Sequence, residues 1–206
     1  MQRDDLYVAL GDSTGVGVGA RDGGYPQRLL SRLCALRPSA RLLNLCSSGA
    51  TSLDVLQEQV PEAMRLQPAL ITLGIGINDV SHAEAEEAFT NNLEEIAVRI
   101  CRLSAPVVIS NIPDIAHAPA VRALFPAELF ERRIEVFNRH LEATAARHGF
   151  VLVDLFAQTR AALREHPEYF SNDGFHPSDA GYEAWTEGIW PSVRRLFAPP
   201  EAAALS

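Results

Sequence analysis

The chain has 206 residues, 47% hydrophobic and 21% charged, an ordinary soluble composition with enough apolar mass to bury a core without disulfides or metals. A formal net charge of −8, with no basic stripe, argues against binding nucleic acid or an anionic membrane surface. No apolar run approaches the roughly 20 residues of a membrane span, and the start Met1-Gln2-Arg3-Asp4-Asp5 lacks a leader pattern, so the reading is a cytoplasmic protein.

The first predicted strand, Leu6 to Leu10, stops at Gly11-Asp12-Ser13 and continues into Gly15, Gly17 and Gly19. A buried strand that ends in such a turn lifts a side chain out of the sheet, at the strand end where open α/β sheets bind ligands. Ser13 is therefore a candidate nucleophile, although Gly-Asp-Ser alone is also an everyday turn. Leu29, Leu30, Leu33 and Leu36 mark a helix from Tyr25, closed by Pro38. A second strand, Leu42 to Cys46, ends at Ser47-Ser48-Gly49, and Thr51 with Asp54 predicts a capped helix that Pro61 interrupts or restarts.

Ala69 to Leu73 is the third strand, running into Gly74-Ile75-Gly76-Ile77-Asn78-Asp79. Ser81 and Glu84 then form a capping-box pattern for a long helix whose apolar face is Phe89, Leu93, Ile96, Ile100 and Leu103. Pro106 to Ser110 is the fourth strand, followed by an irregular excursion to Pro126 that reads equally as a pocket wall or a plain surface loop. Glu128 to His148 is a second long helix with Gly149 as its cap, and Phe150 to Leu155 is the fifth strand. After a short helix comes the loop Ser171-Asn172-Asp173-Gly174-Phe175-His176-Pro177, and then a last helix from Ser178 to Phe197.

Five strands alternating with helices, without repeats or a biased linker, specify an α/β fold: a three-layer αβα sandwich with a five-stranded parallel sheet, one domain over residues 1–198. Residues 199–206 read as a frayed tail. Cys34, Cys46 and Cys101 are odd in number, sit within apolar patterns and lack metal-ligand spacing, so they are expected as buried free thiols. His82, His117, His140, His148 and His166 are scattered on helices and loops and are expected at the surface.

Four segments at element ends stand out: Gly11-Asp12-Ser13, Ser48-Gly49, Gly76-Ile77-Asn78-Asp79 and Asp173-Gly174-Phe175-His176. Together and in this order they resemble the SGNH hydrolases, the GDSL esterase/lipase family, over residues 8–177. The resemblance implies a flavodoxin-like SGNH hydrolase fold, with Ser13 as nucleophile, His176 as its base and Asp173 orienting His176. It further implies an oxyanion hole made by the backbone N–H groups of Ser13 and Gly49 and the side-chain amide of Asn78. Many relatives carry threonine or serine two residues after the nucleophile; Gly15 stands there, so a local hydrogen bond is expected to be missing.

The chemistry has physical reasons of its own. A serine hydroxyl needs an adjacent base at neutral pH, and histidine can take that proton and return it to the leaving group. Asp and His three residues apart on a glycine-containing loop can meet directly, fixing the imidazole tautomer. Asp173 and His176 as half of a metal site is disfavoured, since no second His or Cys lies nearby at ligand spacing. Alone, Asn78-Asp79 would read as a turn or helix cap, while Asp12 is expected to hold its turn by accepting backbone hydrogen bonds.

The resemblance implies a serine hydrolase acting through an acyl-enzyme on a small-molecule ester: short-chain acyl or aryl esters, thioesters or lysophospholipids, with no cofactor. The alternatives are an acyltransferase or carbohydrate O-deacetylase with the same triad, or a non-catalytic binding module.

Overall fold

The computed structural model describes residues 5–197, so the expected tail beyond residue 198 lies outside the described residues. Five strands, β1 Leu6–Gly11, β2 Arg41–Asn44, β3 Leu70–Gly74, β4 Val107–Ser110 and β5 Val151–Val153, form one all-parallel sheet in the order β2-β1-β3-β4-β5. The principal helices are α1 Tyr25–Leu36, α2 Glu86–Cys101, α3 Ala127–His148, α4 Leu155–Glu165 and α5 Asp179–Phe197. α1 packs with α5, and α2 with α3, so the sheet is covered by helical layers as the βα alternation predicts.

Coverage explains the strand sequences. β1 is flanked by strands on both edges, and Tyr7, Val8, Ala9 and Leu10 are all buried, which is why it reads as a continuous apolar run instead of an alternation. Its one polar atom is matched across the ladder, Tyr7 Oη to Thr72 Oγ1 at 2.8 Å. β2 lies at the edge and alternates exposed and half-buried residues.

The boundaries depart from the periodicity where side chains take over backbone bonds. Leu45 still donates to Ala9 O of β1, but the Asn44 carboxamide accepts the Cys46 N–H, and the strand ends two residues early. β5 stops at Val153 because Asp154 caps α4, accepting the Ala157 N–H at 3.0 Å. The expected Ser81–Glu84 capping box does not form. Ser81 belongs to a short helix of its own, Ile77–Ser81, and its hydroxyl donates to Ile77 O, leaving α2 to begin at Glu86 without a side-chain cap. The Thr51–Asp54 box does form, and the helical stretch after it widens into a π-turn, Val55–Gln59, just ahead of Pro61, which has no N–H to continue the α ladder.

The three cysteines are free thiols, but Cys101 is exposed and Cys34 and Cys46 are only half-buried, so the expectation of buried thiols fails for Cys101, which ends α2. The histidines expected in solvent are mostly half-buried and paired: His140 with Glu86, His148 with Glu94, His166 with Glu168, and His117 with Arg164. Among the described residues, no helix is long and apolar enough to cross a membrane.

Candidate active site

The strand order places β1 between β2 and β3, so the segments that leave these three strands emerge side by side at their C-terminal ends. Asp12 caps the helical turn Ser13–Val16 that follows β1, its Oδ1 accepting the Thr14 N–H at 2.9 Å and the Thr14 hydroxyl at 2.7 Å. The turn-holding role expected for Asp12 is what its geometry performs. Its other oxygen, Oδ2, is buried without a partner, and burial, against the Thr14 bonds, pushes the carboxyl up to about 6.

Ser13 Oγ lies 3.0 Å from His176 Nε2, and His176 Nδ1 lies 2.6 Å from Asp173 Oδ2. Asp173 Oδ1 also accepts the Ser171 hydroxyl and the Phe175 and His176 N–H groups, at 2.8 to 2.9 Å. Partial burial works against ionisation of Asp173, but these bonds, led by that from the His176 ring, hold its carboxyl well below the usual range. An ionised carboxylate only accepts, so Nδ1 carries the ring proton and the Nε2 lone pair faces the Ser13 hydroxyl. Gly19 makes this approach possible: it sits at φ +92°, and a Cβ there would lie 2.7 Å from Pro177 O and 2.9 Å from His176 Cβ.

In the loop after β2, Gly49 adopts φ +81°, and its N–H has no acceptor among the described residues. Asn78 begins the helical turn after β3, is 9% exposed, and donates one amide N–H to Ala50 O at 2.9 Å, which leaves a second for a ligand. Ser13, His176 and Asp173 thus form one chain of hydrogen bonds, while Gly49 and Asn78 lie on the neighbouring segments after β2 and β3, which are tied together by the Asn78 bond to Ala50 O.

The sequence matches the GDSL-like lipase/acylhydrolase family over residues 9–184. The chain belongs to this family. It is 26% identical to the esterase TesA of Pseudomonas aeruginosa over 92% of this chain and 88% of that protein. It is 28% identical to the spore germination lipase LipC of Bacillus licheniformis over 89% of this chain and 93% of that one. A crystal structure of TesA superposes with a TM-score of 0.77, covering 93% of this chain and 99% of the other. As a GDSL-like acylhydrolase the chain is a carboxylic ester hydrolase, and its all-parallel sheet is the SGNH hydrolase fold.

Several residues of this GDSL-like site had no signature in the sequence. The Gln59 carboxamide, aimed by the π-turn, makes a paired bond with Gly11, accepting its N–H and donating to its carbonyl, both at 2.8 Å. The Gly11 carbonyl is shared with the Ser47 N–H at 3.1 Å, so the end of β1 is held from two sides just before the Ser13 turn. Asp79 accepts the Ser52 N–H and hydroxyl, and Asn92 donates to Ser52 Oγ, tying the Gly49 loop to the Asn78 turn. Burial raises the Asp79 carboxyl despite the Ser52 bonds. Asp79 stood within a motif yet read as a cap; Gln59 and Ser52 meet partners 48 and 27 positions away, which local pattern cannot signal.

A cleft beside the Ser13–His176–Asp173 hydrogen-bond chain, with about 660 Å³ not filled by atoms and part of it open to solvent, is bounded by Thr14, Ile77, Ile115, Phe175, His176 and Trp185. Ile115 comes from the excursion after β4, so that segment does form a pocket wall.

Proposed function

We propose that this chain hydrolyses short-chain acyl or aryl esters through an acyl-enzyme formed on Ser13. The observation that carries the reading is the continuous relay from Ser13 Oγ through His176 to Asp173, at 3.0 and 2.6 Å. In this reading His176 Nε2 takes the hydroxyl proton as Ser13 attacks the ester carbonyl, and Asp173 keeps the Nδ1–H tautomer and stabilises the imidazolium. The negative oxygen of the tetrahedral intermediate is received by the N–H groups of Ser13 and Gly49 and by the Asn78 amide, each preorganised donor being worth about 3 kcal/mol. His176 returns its proton to the leaving alcohol, and a water activated by the same histidine then releases the acid and regenerates Ser13.

The apolar walls of the cleft favour an uncharged acyl or aryl group next to His176, and the same chemistry extends to thioesters and lysophospholipids. The acidic net charge supports a small-molecule substrate over a nucleic acid, and the three free thiols suit a reducing cytoplasm. One domain, residues 1–198, carries the whole site.

Mass spectrometry after treatment with a small fluorophosphonate tests the reading without a choice of substrate. The expected result is a single adduct on Ser13 that is lost in His176→Ala. Folded protein that forms no adduct would replace the hydrolase with a non-catalytic scaffold.

A further inference from the structure

Arg133 has no carboxylate partner among the described residues. The side chain rises from the second turn of α3 and is spent on backbone carbonyls: Nε donates to Val80 O at 3.1 Å, and Nη2 to Asp79 O at 3.3 Å and to Glu84 O. Its guanidinium lies over the Phe137 ring, one turn on, at 4.8 Å from the centroid, which fixes the plane of the fork. The three carbonyls belong to one feature. They close the short helix Ile77–Ser81 and the reversal after it, where Ala83 is held at φ +58°, a strained value for a residue with a side chain.

A helix this short is weakly held, because, Arg133 apart, Asp79 O and Val80 O accept only N–H groups of the reversal itself, those of Glu84 and Ala83 at 2.9 and 3.3 Å, and few bonds oppose fraying. Asn78 sits at its start. From the other side the same turn is tied by Asn78 Nδ2 to Ala50 O and by the Asp79 carboxylate to Ser52. Asp79 is thus gripped twice, by its carboxylate toward the loop after β2 and by its carbonyl toward α3.

We infer that Arg133 is a positioning residue for the reaction: by pinning the 79–84 carbonyls to α3 it holds the Asn78 amide where the oxyanion forms. The inference rests on the hydrolase reading of the site, since an amide positioned for no charge would need no such hold. A guanidinium suits this task because its planar fork reaches several carbonyls at once, which a lysine ammonium on a flexible stem does not.

The test is a double-mutant cycle on p-nitrophenyl acetate hydrolysis, with kcat and KM measured for wild type, Arg133→Met, Asn78→Ala and the double variant. Arg133→Met should lower kcat about tenfold with KM within about twofold, and should cost less than about twofold once Asn78 is already alanine. An unchanged kcat, or an equal loss in both backgrounds, overturns the inference, since a merely structural role would act regardless of Asn78. If Arg133→Met does not fold, Arg133→Lys, which keeps the charge but not the planar fork, carries the same cycle. Ser13→Ala run alongside separates the two levels. Full activity there removes the reading of the site itself, whereas a dead Ser13→Ala beside an unaffected Arg133 variant removes this inference alone.

Discussion

Replacing Asp12 by asparagine should make the protein more stable relative to wild type as pH rises. Asp12 is 1% exposed, Oδ1 holds both Thr14 bonds, and Oδ2 has no partner. Burial raises its carboxyl from 3.8 to about 6, so between those values the folded state binds a proton that the unfolded state has lost. The sign follows: this group's contribution to stability is most favourable below the unfolded value, and is progressively lost as pH rises through the folded one. At about 1.4 kcal/mol per pKa unit, the cost above the window is roughly 3 kcal/mol.

Asparagine keeps the shape and the Oδ1 acceptor but carries no charge to desolvate. Denaturant unfolding of both proteins should therefore show the stability difference, variant minus wild type, growing by about 2 kcal/mol between about pH 4.5 and 7.5. A difference that stays flat over that range would mean that Asp12 titrates normally, and that its unpartnered oxygen costs the fold nothing.

Other perturbations address the parts of the site separately. Asn78→Ala should lower kcat by roughly a hundredfold with a smaller change in KM, because its bond strengthens as charge develops; steady-state kinetics showing a change in KM alone would remove it from the oxyanion hole. Gly15→Ala places a methyl 2.2 Å from Cys46 Sγ and 2.7 Å from its Cβ, so it should destabilise by about 1–3 kcal/mol in thermal melts, with much of the loss recovered by adding Cys46→Gly. Gln59→Leu strands the N–H of Gly11 in the core, while its carbonyl keeps the Ser47 N–H, and should cost about 1–3 kcal/mol by denaturant unfolding; no measurable cost would mean that β1 does not depend on the pairing.

The sheet was legible because its central strands are buried on both faces and therefore written in uninterrupted apolar residues, as in Leu6 to Leu10. The candidate site was legible because Ser13, Gly49 and Asn78 follow strands whose ends are marked by turn residues, while Asp173 and His176 stand three apart on one glycine-containing loop. What escaped the sequence was whatever depended on competition for hydrogen bonds. Ser81 had the right neighbours to cap α2, but an internal carbonyl, Ile77 O, lay closer to hand. The expectation attached to Gly15 is answered in a similar way: its carbonyl accepts the Asn44 amide at 2.7 Å, while Cys46 fills the space in which a side chain would stand. The supports contributed by Gln59, Ser52 and Arg133 join segments far apart in the chain, and no local pattern announces them.

The site is divided in the way its members are anchored. Ser13, Gly49 and Asn78 hang from three adjacent strands, but Asp173 and His176 ride on a loop closed on itself by Ser171 N to His176 O at 2.8 Å and an isolated bridge between Phe170 and Pro177. Two tiers of stability follow. On warming, the loop should swing away and carry His176, the proposed base, with it while the sheet remains intact, so ester hydrolysis would switch off reversibly below the melting temperature. The upper working temperature of this enzyme would then be set by the grip of one short loop on the turn at Gly19 and, through Gly174 O to the Ala120 N–H at 3.1 Å, on the segment after β4, and improving the core would leave that ceiling where it is.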